Sequence, residues 1–314
     1  MAMILTVTMN PSVDISYPIP DFKLDDVNRV EGVRKTAGGK GLNVARVIKQ
    51  MGEGVMTTGV LGGTIGDYII QELSKDRIEN DFLKINQESR NCIAVLHDNK
   101  QTEILESGPT LTAKDGTAFL TKYDRLLTKV SLVTISGSLP KGLPSGFYRL
   151  MVERSRELGI PVVIDTSGES LRQVLLNDAK PFAIKPNITE LSQLLGINVE
   201  PSIESLRQAL THEWLQGIEW IVISMGGSGA FVKHGQDFYH VTIPKINVVN
   251  PVGSGDATVA GFAVAVKHRR SVQMVLKTAM TAGILNAMEA VTGYINTANF
   301  EEIFKQVRVK KIDL

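Results

Sequence analysis

The chain has 314 residues, enough to bury a large core in one big α/β domain or in two smaller ones. Lys and Arg number 34 against 33 Asp and Glu, which excludes a generalised attraction to nucleic acid or acidic membrane and leaves any anion binding to local groups. The single cysteine, Cys92, excludes an intramolecular disulfide and a multi-cysteine metal site and favours a reducing compartment. No basic leader precedes the first apolar run and no uncharged apolar stretch reaches membrane-spanning length, so a soluble cytoplasmic protein is expected.

Residues 3 to 8 form a short β-branched run that reads as a buried first strand ending at Asn10-Pro11. Asp14 lies just past its exit, on the edge where ligands collect in open α/β sheets. Residues 15 to 35 change character: prolines at 18 and 20, the acidic pair Asp25-Asp26 and alternation from 28 to 33 predict exposed β structure laid over something else. In Ala37-Gly38-Gly39-Lys40-Gly41-Leu42-Asn43, glycines run into a helix that continues to about residue 51. The glycines allow close backbone approach to a ligand, while Lys40 and Asn43 supply a cation and an amide that both donates and accepts. A Walker A spacing is absent.

Residues 55 to 60 read as a strand, Gly62-Gly63 as a turn and 67 to 75 as a helix. Residues 90 to 97 and 101 to 106 predict a hairpin through Asp98-Asn99-Lys100 that completes the sheet begun by residues 15 to 35. Within it, Cys92 reads as core filler beside Ile93, Ala94 and Val95, and Arg90 is either a solvated strand end or an anion ligand. From residue 114 the pattern is regular: helix to 128, strand 131 to 136, helix 145 to 158, strand 160 to 165. This alternation implies right-handed βαβ units and a mostly parallel sheet covered on both faces. The loop Ser136-Gly137-Ser138 places hydroxyls at the ligand edge.

Ala183-Ile184-Lys185-Pro186-Asn187-Ile188-Thr189-Glu190 is a strand end entering a helix. Asn187 with Glu190 matches either a helix capping box or a carboxylate holding a hydrated magnesium ion. Residues 220 to 224 form another strand, followed by a glycine-rich loop with Gly226 and Gly229 and a polar hairpin over 231 to 242. That loop lacks a dinucleotide fingerprint. The stretch that organises the rest is Asn250-Pro251-Val252-Gly253-Ser254-Gly255-Asp256-Ala257, whose glycines turn the backbone tightly before a buried helix over about 256 to 268. Backbone N–H groups at such a helix start cradle anions. Asp256 there is either a first-turn acid meeting the helix dipole or a general base. A second apolar helix, about 271 to 290, packs behind it.

Gly-Gly-Lys-Gly-Leu-Asn-Val-Ala, Lys-Pro-Asn-x-x-Glu and Gly-Ser-Gly-Asp, in that order, resemble the ribokinase-like sugar kinases of the PfkB family from residue 3 to about 295. The resemblance implies one three-layer α/β/α domain over residues 1 to 314, with a mostly parallel central sheet and a small β-sheet lid from about 15 to 35 and 90 to 106. Such lids often pair between subunits, so a homodimer through the lid is expected. Thr8 to Asp14, the Asn-Val-Ala-Arg ending at Arg46 and Ser136-Gly137-Ser138-Leu139-Pro140 are similar to the branch acting on sugars that already carry a phosphate. That branch includes the tagatose-6-phosphate kinases and 1-phosphofructokinases, and Asn-Pro-Val-Gly-Ser-Gly-Asp-Ala-Thr looks more like the former.

Carried onto matching positions, the resemblance makes Asp256 the base that takes a proton from the sugar hydroxyl, with Gly253, Ser254 and Gly255 holding the γ-phosphoryl group. Asp14, Gly38, Gly39 and Asn43 would hold sugar hydroxyls. Lys40, Arg29 and Arg90, with Ser138 nearby, would hold the phosphate already on the sugar. Lys185, Asn187, Ser224, Gly226 and Gly229 would line the ATP side, with Glu190 towards Mg2+ through water. The implied reaction is ATP-dependent phosphorylation of a ketohexose phosphate. Rival readings are a 1-phosphofructokinase, a ribokinase acting on a free sugar, a sugar-phosphate-binding regulator that keeps the fold without the reaction, and a nicotinamide dehydrogenase.

Overall fold

The computed structural model describes residues 2–98 and 100–312; Asn99, the middle of the expected hairpin turn, lies outside the described residues. The chain begins with β1 (Met3–Thr8), leaves for β2 (Ser12–Pro18) and β3 (Arg34–Gly38), and returns through α1 (Lys40–Gln50), β4 (Val55–Gly62) and α2 (Gly63–Lys75). Short β5 (Glu79–Asn80) and β6 (Leu83–Ile85) lead to the hairpin β7 (Arg90–His97) and β8 (Lys100–Leu105). Then follow α3 (Ala113–Leu127), β9 (Val130–Ser136), α4 (Phe147–Glu157), β10 (Val162–Asp165), α5 (Gly168–Leu175), β11 (Ala183–Ile184), α6 (Ile188–Leu195), α7 (Ile203–Ala209) and β12 (Trp220–Ser224). The chain closes with β13 (Ala230–His234), β14 (Asp237–Thr242), α8 (Ser254–Lys267), α9 (Val272–Ala287), α10 (Phe300–Gln306) and β15 (Arg308–Ile312).

The main sheet runs β15-β14-β13-β12-β11-β10-β9-β1-β4-β5, with β6 also on β4. Every pairing from β12 across to β4 and its short neighbours is parallel, and β12 to β15 are antiparallel. Because strand side chains alternate, Ile4 of β1 enters one hydrophobic cluster with α1, α8 and α9, while Leu5 and Val7 enter another with α3 to α6. The result is the expected three-layer α/β/α arrangement. Among the described residues no helix is long and apolar enough to cross a membrane.

A separate four-stranded sheet runs β3-β2-β7-β8, with β2 and β7 parallel. Its register sets Asp14 opposite both Thr36 and Cys92, so one face carries a row of polar side chains. The other face is apolar and packs inward: Val13, Ile15 and Ala37 are buried in the core cluster that also takes in Ile65 and Tyr68 of α2. Residues 19–33 do not form the expected strand. Asp25 and Gly32 adopt left-handed conformations that interrupt an extended run, so the segment is an exposed loop.

Other boundaries moved for local reasons. Gly63 starts α2 where a turn was expected, and the polar hairpin over 231–242 is β13 and β14, an antiparallel extension of the main sheet. Helices α5, α7 and α10 and strands β5, β6 and β15, each of eight residues or fewer, were not anticipated.

Candidate active site

The C-terminal ends of β1, β9, β10 and β12, the polar face of the small sheet and the starts of α1 and α8 surround a cleft of about 660 Å³. At its floor Asp256 sits in the first turn of α8, only 6% exposed. The preceding loop has the shape an anion cradle needs. Gly253 caps the helix at φ 83°, and a Cβ there would lie 2.6 Å from the Thr292 side chain, so only glycine fits. Buried Asn286 of α9 braces the loop: its Nδ2 donates to Val252 O at 2.9 Å while its Oδ1 accepts from Gly293 N at 2.8 Å. From α1, Asn43 Nδ2 donates to Asp256 Oδ2 at 2.8 Å.

Burial pushes the Asp256 carboxyl up to about 7, and the charge of Asp165 adds to this. The Asn43 hydrogen bond and the positive charges of Lys40 and Lys185 act the other way. Asp165, at the end of β10, is buried and pairs with Lys185 Nζ at 3.5 Å. Lys40 is raised chiefly by Asp165 against the effect of burial, and further by Asp256 and Glu190. Its electrostatic partners are therefore the carboxylates at the base and on the expected ATP side. Asp165 was missed in the sequence, although a carboxylate ending a parallel strand carried the same signal that singled out Asp14.

Asp14 accepts from Ser12 Oγ at 2.7 Å. Burial raises its carboxyl, while Ser12, Arg46, Arg90 and the Gly39 N–H lower it. Gly38 lies beneath this carboxylate: a Cβ at 38 would stand 2.0 Å from Asp14 Cγ. Arg90 lines the cleft with Nε on Asn10 O at 3.2 Å and Nη1 on Glu106 O at 3.0 Å. Cys92 also lines the cleft and is half-buried; the alternation of β7 sets it on the polar face with Arg90, so it is not core filler. Among the described residues, buried Thr8 Oγ1, Asn10 Oδ1 and Ser136 Oγ find no hydrogen-bond partner, and their residues line the same cleft. Such orphaned polar atoms suit a ligand rich in hydroxyl or phosphate oxygens.

Of the other expected site residues, Gly39, Lys40, Asn43, Ser138, Lys185, Asn187, Glu190, Ser224, Gly253 and Gly255 line the cleft. Ser254 opens α8 without lining it. Arg29 lies on the exposed 19–33 loop and does not reach the cleft. Gly226 and Gly229 shape the turn between β12 and β13, outside the lining. Asn187 and Glu190 form the reciprocal capping box of α6: Glu190 N donates to Asn187 Oδ1 at 2.8 Å and Asn187 N to Glu190 Oε2 at 2.9 Å. This occupies one Glu190 oxygen and leaves Oε1 outside the capping pair.

Residues 7–298 match the family described as pfkB family carbohydrate kinase. The chain belongs to the pfkB family of carbohydrate kinases. Among solved structures, it is similar to a candidate phosphofructokinase from Staphylococcus aureus, with 30% identity and TM-score 0.85 over 99% of each chain. A Thermotoga maritima protein described as a possible 1-phosphofructokinase has 24% identity and TM-score 0.89, over 99% of this chain and 100% of that one. Phosphofructokinase-2 from Escherichia coli, solved with potassium, has 23% identity and TM-score 0.88, over 97% of this chain and 99% of that one. For a pfkB carbohydrate kinase, whose reaction uses ATP, the cleft joins a buried carboxyl, a glycine-turned helix start and two lysines.

Proposed function

We propose that this pfkB kinase transfers the γ-phosphoryl group of ATP to tagatose 6-phosphate, forming tagatose 1,6-bisphosphate, with Asp256 as general base. The single observation that carries the general-base transfer is the buried Asp256, pushed up to about 7 and hydrogen-bonded through one oxygen to Asn43 inside the cleft, while the choice of sugar rests on the wording of residues 250 to 258. Its other oxygen takes the proton of the attacking hydroxyl as the new O–P bond forms and the bond from the γ-phosphorus to the bridging oxygen of ADP breaks. The N–H groups at the start of α8 and the charges of Lys40 and Lys185 stabilise the transferring group. Positioning by these groups supplies most of the acceleration, as in other phosphoryl transfers.

Asp14 and the orphaned polar atoms of Thr8, Asn10 and Ser136 hold sugar hydroxyls, and Arg90 faces the phosphate already present. Lys40 moves in this reading from the sugar phosphate to the transferring group, because its charged neighbours lie there. Mg2+ suits the donor set: Glu190 lines the cleft with one oxygen outside its capping box, and phosphates and water would complete the shell. The ion, when bound, neutralises charge on the ATP phosphates. The small sheet acts as a lid that excludes water, and its exposed Ile104 and Leu105 support a homodimer through this sheet.

A coupled ADP-release assay with tagatose 6-phosphate, fructose 1-phosphate and fructose 6-phosphate tests the reading. The highest kcat/KM is expected with tagatose 6-phosphate. A preference for fructose 1-phosphate would replace it with a 1-phosphofructokinase, and turnover with none of the three would leave a sugar-phosphate-binding protein.

A further inference from the structure

The Asn43 amide has two ends, and only one of them helps a carboxylate. Its nitrogen donates to Asp256 Oδ2, while its oxygen accepts from Arg46 Nη2 at 2.5 Å. Asn43 and Arg46 are three residues apart on α1, so they share a helix face. Arg46 Nη1 also donates to Ala37 O, at the base of the small sheet. A guanidinium has donors only and keeps its proton throughout the working pH range. It can therefore meet the amide oxygen and never the amide nitrogen.

We propose that Arg46 is a positioning residue for the reaction: it locks the Asn43 amide so that the nitrogen faces Asp256, leaving one carboxylate oxygen for the sugar hydroxyl. Without this lock the amide is free to turn its oxygen towards the carboxylate, where two acceptors repel. The inference rests on Asp256 being the base. The three residues form one line from the small sheet through α1 to the first turn of α8.

The charged surroundings are shared. Asp256 faces Asp165 from the end of β10, Lys185 beyond β11 and Lys40 on α1. Arg46 faces Asp76 and Glu72 from α2 and its end, Asp14 of β2 and Asp256 itself. The bland alternative is that Arg46 only ties α1 to Ala37. That role predicts lost stability and a kcat loss that does not depend on Asn43, and any movement of the base titration caused by losing the Arg46 charge would then persist in the Asn43→Ala background.

The test is Arg46→Met in the wild-type background and in an Asn43→Ala background, reading kcat, both KM values and the pH profile of kcat/KM. Arg46→Met alone is expected to lower kcat about tenfold, with the KM for ATP within about twofold. Losing the Asn43 donor raises the Asp256 pKa, so the acid limb is expected to move to higher pH. In the Asn43→Ala background the same substitution is expected to lower kcat less than about twofold, because the lock has nothing left to hold. An equal loss in both backgrounds, or an unmoved acid limb, overturns the proposal. Should Arg46→Met fail to fold, Arg46→Gln in the same backgrounds gives the same comparison, because Gln keeps a polar side chain but both donates and accepts, so it no longer dictates which end of the Asn43 amide it meets. Asp256→Asn separates the two ideas: if it retains full kcat the base assignment fails, and if it is inactive while Arg46 acts independently of Asn43, only the lock fails.

Discussion

Asn43 Nδ2 lies 2.8 Å from Asp256 Oδ2, a hydrogen bond between residues 213 positions apart. It joins the first turns of α1 and α8, so the positive ends of two helices converge on one carboxylate. Burial raises that carboxyl far enough for proton transfer near neutrality, while the amide and two lysines keep it from rising further.

The first prediction concerns pH. With Asp256 pushed up to about 7, kcat/KM is expected to climb with an acid limb near pH 7, since this parameter reports the free enzyme. An acid limb near pH 4 would place the base on an ordinary solvated carboxylate.

Stability carries the opposite sign. Between about pH 4 and 7 folded Asp256 keeps a proton that the unfolded chain has lost, so this group's contribution falls as pH rises through 7. Asp256→Asn removes the titration. Thermal unfolding is expected to show the variant gaining on wild type between pH 6 and pH 8, by on the order of a few kcal/mol at most. A Tm difference that stays constant across this range would contradict the buried, raised carboxyl.

Gly38 tests the small sheet. A methyl at 38 would overlap Asp14, whose carboxylate must move if Gly38→Ala folds. The KM for the phosphosugar is expected to rise tenfold or more, at least about 1.4 kcal/mol, with the KM for ATP within about twofold. Unchanged sugar kinetics would remove Asp14 from the site.

Arg90 is a small-sheet cation that lines the cleft, opposite Ser12 and on the same face as Asp14. Arg90→Ala is expected to raise the KM for a phosphorylated sugar at least tenfold, about 1.4 kcal/mol, and to leave that for ATP near its original value. Equal effects on both substrates would mean that its bonds to Asn10 and Glu106 serve the fold alone.

Much of the fold was legible because strand and helix periods differ and β1, β4, β9 and β12 are long apolar runs. Asp256 was legible for a related reason: the glycines before it announce a helix start with an acid inside. What sequence could not show was which face a residue takes once sheets are assembled. Cys92 reads as core because its neighbours are apolar, yet the pairing of β7 with β2 turns it to the cleft. Arg29 looked available to the site, but the left-handed turns around it leave it on an exposed loop. Asp165 passed as an ordinary strand end, and only the tertiary approach of Lys185 and Lys40 reveals its charge partners. The Asn187 and Glu190 pair caps α6, as one of its two readings expected, and both residues also line the cleft.

The account turns on one carboxylate, and the most direct measurement is steady-state kinetics of Asp256→Asn with saturating ATP, Mg2+ and the preferred phosphosugar. A fall in kcat of at least about a hundredfold is expected, with both KM values within a few-fold of wild type, because the amide fills the same space without accepting the proton. A variant that keeps kcat within a few-fold of wild type would show that another group takes the proton.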